Sequence, residues 1–214
     1  RGERHGSGRT LRHQRLISAA RGSDGASPLH LATRNGHVDA TRALLRAGAS
    51  PDAKGRAGLY LDKTPLQVAR SDGAVRRAFV HELFQQVAMG NASRVNSLLK
   101  AGLDASAPDA DSNSGDTPLH WAASFGHPEV ARVLLTNGAS PAVLNNEGAT
   151  PLREARCAGH HHIVRILERA ANEPTATAVA GSTPGPAVSE GLPERYRSPS
   201  RRGGRNGRRR RRGA

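Results

Sequence analysis

The chain has 214 residues, a net charge of +14, and only 3% aromatic and 36% hydrophobic residues. That composition excludes one deep globular core and leaves two options: a shallow fold built of small stacked units, or long unfolded flanks. The single cysteine, Cys157, excludes an intrachain disulfide, and no apolar run reaches the roughly 18 residues of a spanning helix.

Arginine supplies the charge excess, 29 against 3 lysines. Residues 1–170 hold 22 basic and 15 acidic side chains, whereas the last 44 residues hold 10 and 3. The chain starts at Arg1 and its one methionine is Met89, which fits a fragment or processed product. Its first residues, with Glu3 their one acid, share the flavour of a transit peptide. A free thiol and no spanning segment point to an intracellular protein, cytoplasmic or nuclear, with no membrane partner.

In chain order, residues 11–21 read as a helix with Leu16, Ile17 and Ala20 on one face, apt to cap a stack. Residues 1–22 are taken as this flank and cap. Ser27-Pro28-Leu29-His30 opens a helix: serine caps it and proline at the first helical position forfeits no hydrogen bond. Gly36 ends that helix, and a second follows with Val38, Leu44 and Leu45 on one face. A polar loop over 50–62 carries Lys54, Arg56 and Tyr60. Thr64-Pro65-Leu66-Gln67 opens the next unit, but only 17 residues separate Thr64 from the next equivalent position. A full repeat does not fit, so one helix over 74–89 is expected to serve two repeats across an irregular junction at 64–90.

Residues 82–103 form a degenerate copy with Gly90, Leu98-Leu99 and Gly102, followed by an acidic loop over 104–116 with Asp104, Asp109, Asp111 and Asp116. Thr117-Pro118-Leu119-His120 then opens a near-duplicate of residues 27–49 that ends at Ala139. Thr150-Pro151-Leu152-Arg153 follows 33 residues after Thr117 and opens a last pair of helices, with Ile163, Val164, Ile166 and Leu167 in the second. Beyond Ala171 the composition turns to Pro, Gly, Ser, Thr and Arg, so 171–214 is expected to be disordered.

The four tetrapeptides, the 33-residue spacing and the Gly-His and Leu-Leu pairs resemble the ankyrin-repeat family. The resemblance covers about 23–170 and implies an all-α solenoid of four to five helix–turn–helix repeats with hairpin or loop fingers. It also implies a scaffold or adaptor that binds another protein, with no catalytic residues, cofactor or small-molecule substrate. Partner contacts would fall on the concave face at Arg34 and Asn35, Ser124 and Phe125, and Arg156 with Cys157. The fingers would add Lys54, Arg56, Tyr60, Asp109 and Asp111.

Other features carry readings of their own. His160-His161-His162 with Cys157 is the nearest thing to a metal cluster, but His160 stands at the repeat's own Gly-His position and a structural bridge is expected. Trp121 occupies the position of Leu31 and is expected in the core, whereas Phe125 precedes Gly126 and is expected to be exposed. In the tail, Ser198 and Ser200 flank arginines suited to phosphorylation control, and Arg201, Arg202, Arg205, Arg208, Arg209, Arg210, Arg211 and Arg212 suit nuclear import or binding of RNA or DNA. The tail could also fold back on the acidic finger. Two further functions therefore stay open: a nucleic-acid-associated or nuclear protein, and the adaptor fragment of a larger multidomain enzyme.

Overall fold

A computed structural model describes residue 22 and residues 25–69, 73–109 and 113–172. The expected cap over 11–21, Asp111 and the tail from 173 onward lie outside these residues.

Nine α-helices run through the described residues. They are α1 (Pro28–Arg34), α2 (Val38–Arg46), α3 (Pro65–Val68), α4 (Gly73–Ala88), α5 (Ala92–Lys100), α6 (Pro118–Phe125), α7 (Pro128–Thr136), α8 (Pro151–Cys157) and α9 (His161–Asn172). The pairs α1/α2, α4/α5, α6/α7 and α8/α9 each fold back on themselves, and each pair packs on the next. First helices meet first helices (α4 on α6, α6 on α8) and second helices meet second helices (α5 on α7, α7 on α9). The fingers are loops: the described residues hold only one isolated β-bridge, Gly55 to Leu61, and a 3-10 turn over Gly58–Tyr60.

Histidines at two positions of the repeat tie neighbouring repeats together. His30 Nδ1 accepts from the Ser27 hydroxyl at 2.7 Å and its backbone N–H at 3.1 Å. Because a carbonyl can only accept, Nε2 must carry the proton and donate to Lys63 O at 2.9 Å, 33 residues on. His120 repeats the arrangement with Thr117 and with Ala149 O at 3.0 Å. The Gly-His histidines reach the other way: His127 Nε2 donates to Ala88 O at 2.9 Å and His160 Nε2 to Ser124 O at 3.1 Å. Gly126 has φ 79°, and a Cβ there would lie 2.6 Å from the His160 ring, so the glycine answers both a left-handed turn and a close approach.

The core is thin and aliphatic. Leu98, Leu134 and Leu167 stand eight residues after Gly90, Gly126 and Gly159 and are fully buried in a continuous row. Ala122, Ala123 and Ala131 fill the close approaches between helices. Each buried leucine contributes roughly 1.5–3 kcal/mol, and none does so without its neighbouring repeat.

The junction resolves into one four-residue helix and one sixteen-residue helix. The latter packs on α2, α5 and α6, so a single element stands where two would be expected. Its buried residues accordingly lie on several sides: Val75, Ala78, Phe79, Leu83, Phe84 and Val87. Beside it remains a polar cleft of about 310 Å³, spanned by side chains rather than by a helix. Arg94 Nη2 donates to Leu45 O at 2.9 Å, across the shortened repeat. Burial pulls the Arg94 pKa down, and the nearby Glu82 and Asp52 carboxylates oppose that shift. Glu82 is buried on α4 and accepts from Gln86 Nε2 at 3.0 Å.

Candidate protein-interaction surface

The C-terminal ends of the first helices present a row of side chains just before each repeat's glycine: Asn35, Met89, Phe125 and Ala158. Asn35 is exposed, Met89 is 71% exposed and Phe125 is 52% exposed. Phe125 packs on one side. Its ring meets Trp121 edge-on at 5.6 Å, and Trp121 meets buried Phe84 edge-on at 5.1 Å. Three aromatics thus form a ladder from the core to the surface.

Leu31 departs from the core placement expected for it, whereas Trp121 packs against the core at its edge. Leu31 is 40% exposed and Trp121 is half-buried. The buried positions flank them: Leu29 and Ala32 in α1, and Leu119 and Ala122 in α6. With the buried stripe set by those residues, the position between them looks out over the first-helix face. Met89 was not anticipated, although its place before Gly90 matches that of Phe125 before Gly126.

The charged candidates divide. Arg34 donates through Nη1 to the Tyr60 hydroxyl at 2.7 Å, with its guanidinium 5.6 Å from the centre of the Tyr60 ring. Tyr60 is only 2% exposed and also meets His30 edge-on at 5.7 Å, so it anchors the finger and is not a contact residue as expected. Lys54 and Arg56 remain exposed on that finger. Ser124 is half-buried, with its carbonyl engaged by His160.

Arg156 is also displaced from the expected groove. Counted from the glycine, it matches Thr33 and Ala123, which following repeats bury, and Cys157 with Ala158 match Ser124 with Phe125. At α8 that flank carries no further described repeat, and Arg156 pairs with Glu168 of α9 at 2.7 Å. Cys157 is half-buried.

Two carboxylates of the acidic finger are engaged within the protein. Asp116 accepts from Asn145 Nδ2 at 2.7 Å, and Asp104 accepts from the Ser106 N–H at 2.8 Å. Asn146 then ties the neighbouring finger on, through its N–H to Ser114 O and Nδ2 to Asn113 O, both at 2.8 Å. Asp109 is half-buried, and its N–H donates to Asp116 O at 2.9 Å.

No group of three His, Cys, Asp or Glu side chains among the described residues is placed to hold a metal ion. His160 is committed to Ser124 O, and His162 Nε2 faces Arg132 at 3.2 Å. No described helix is long and apolar enough to cross a membrane.

Comparison with known proteins follows this geometry closely. A family model described as ankyrin repeats (3 copies) matches residues 83–177, and a single-repeat ankyrin model matches residues 24–56. The stretch between them, 57–82, contains the shortened repeat. The chain is 34% identical over 137 residues to SH3 and multiple ankyrin repeat domains protein 2 of Homo sapiens, a match covering 56% of this chain and 7% of that protein. The chain therefore spans only a small part of that relative's length. Neither family match is to a catalytic family; ankyrin repeats are in general modules that bind other proteins. The stacked helix pairs, the histidine bridges between neighbouring repeats and the two family matches converge: this chain belongs to the ankyrin-repeat family.

Proposed function

We propose that this protein is an interaction scaffold that binds a partner protein across its first-helix face and finger loops. The observation that carries this reading is Phe125, a half-exposed ring set edge-on against Trp121, which itself packs on Phe84. A pre-oriented aromatic loses little side-chain entropy on binding, which is why such residues dominate interface energetics. Met89 and Leu31 extend the apolar area on the same face, with Arg34, Asn35, Lys54 and Arg56 as its polar surround. Asp109 and the finger containing Asp111 contribute acidic contacts at the edge, whereas Arg156 serves the end of the stack.

Partner capture by chemical cross-linking, with parent and Phe125→Asp chains run side by side, tests this. A nuclease-resistant partner held by the parent and lost with Phe125→Asp, at unchanged melting temperature, is expected. Equal capture by both chains would remove Phe125 from the interface.

The arginines from 195 onward favour a second reading, in which the tail adds affinity for RNA or DNA or for an import receptor. A gel shift that is lost when 195–214 is deleted separates this from the first. Phosphorylation at Ser198 or Ser200 would weaken such a contact by adding negative charge.

A further inference from the structure

The second-helix face carries a separate groove. α7 and α9 lie side by side and leave an opening of about 720 Å³ between them. Leu135 and Ile166 are half-buried along its floor, and Arg132, His162, Arg165 and Arg169 stand around it. The preceding pair of second helices is clasped, because Asn137 of α7 reaches Asn96 of α5 at 3.5 Å. Asn137 stands eleven residues after Gly126, and the equivalent after Gly159 is Ala170. Asn96 stands six residues after Gly90, and its equivalent after Gly126 is Arg132. Ala170 cannot answer Arg132 in that way; Arg132 meets His162 of α9 instead, at 3.2 Å, and the opening lies beside them.

Its charge is poorly balanced. Glu129 lies 3.6 Å from Arg132, and Glu168 is occupied by Arg156. Arg132 also donates to His162, while Arg165 has no ion-pair partner among the described residues. Cations in the last turn of a helix complement its dipole, which accounts for Arg169 alone. Arg132 and Arg165 lie mid-helix, beyond that effect.

We propose that this groove docks an acidic peptide segment of a partner protein, seated by an apolar anchor. Guanidinium forks match carboxylates in geometry as well as charge, and half-buried Leu135 and Ile166 offer an aliphatic floor for a leucine-sized side chain. A phosphate backbone would match the charge but leave that floor unused, so the peptide is the better fit. The surface lies apart from Phe125, and the protein would join two partners through two faces.

Fluorescence anisotropy of the full chain with a labelled peptide of Glu-Glu-Leu triplets tests the proposal. Saturable binding is expected, weakened about tenfold or more by Arg165→Glu combined with Arg169→Glu and comparably by replacing each leucine with glycine. A milder pair, Arg165→Gln with Arg169→Gln, gives an intermediate loss and guards against misfolding, which thermal melting also checks. A full-length variant with glutamines at 208–212 keeps the preference for the leucine-containing peptide, and Phe125→Ala leaves binding unchanged. The proposal is overturned by no binding at millimolar peptide, by equal binding of the leucine-free peptide, or by loss that follows only the tail arginines. It also fails if a single-stranded oligonucleotide displaces the peptide while the leucines prove irrelevant. Loss with Phe125→Ala would place the peptide on the first-helix face and sink this proposal alone.

Discussion

Adding one methyl group at position 126 perturbs two features of the repeat together. Gly126→Ala must hold a left-handed φ of 79° and push against the His160 ring, so a loss of more than about 1 kcal/mol is expected in urea unfolding. Combined with His160→Ala, the steric part disappears, and the double variant should lose less than the sum of the singles. His120→Ala leaves Ala149 O and the Thr117 N–H without their partner and is expected to cost about 1–3 kcal/mol by the same measurement. Phe125→Ala, at a half-exposed position, should change stability by less than about 1 kcal/mol while removing partner binding. The sequence made His160 and Phe125 legible because both are fixed by distance from a glycine. It misplaced Tyr60, whose burial depends on Arg34 and His30 some thirty residues away, a contact no local pattern encodes. Arg156 was misplaced by one step of register: counted from its glycine it matches Thr33 and Ala123, and it is exposed where no further described repeat covers it.

At the level of elements, the long α4 followed from arithmetic: seventeen residues between equivalent positions leave no room for two helices and a turn. Arg94, which bridges the cleft, and Glu82, buried beside it, were not legible, since each reads as an ordinary polar position on its own helix. Their roles arise only in the fold, where the Arg94 side chain crosses the cleft to α2. Arg94→Ala removes the donor to Leu45 O and the positive charge near buried Glu82, and a destabilisation of about 1–3 kcal/mol is expected from chemical denaturation. A shorter, neutral replacement that keeps an N–H donor, Arg94→Gln, should recover only part of that loss.

Across the whole molecule, stability passes between neighbouring repeats with no shared central core, so damage should stay local. Leu167→Ala, in the last described pair, is expected to cost about 2–5 kcal/mol and to accelerate hydrogen exchange in α8 and α9 well before α1 and α2. The repeat pattern disclosed this architecture because the same apolar spacing recurs in three copies. The interaction surface was only half legible, since its apolar members Leu31 and Met89 are marked by exposure, which depends on what each neighbour covers. The most direct test of the central claim places a benzophenone photo-cross-linker in turn at 89 and 125 on the first-helix face, and at 42 and 76 on exposed positions of α2 and α4. Cross-linking of one nuclease-resistant partner from 89 and 125, and not from 42 or 76, is the result expected. Cross-links from 42 or 76 alone would contradict the claim and move the interface to another face of the stack.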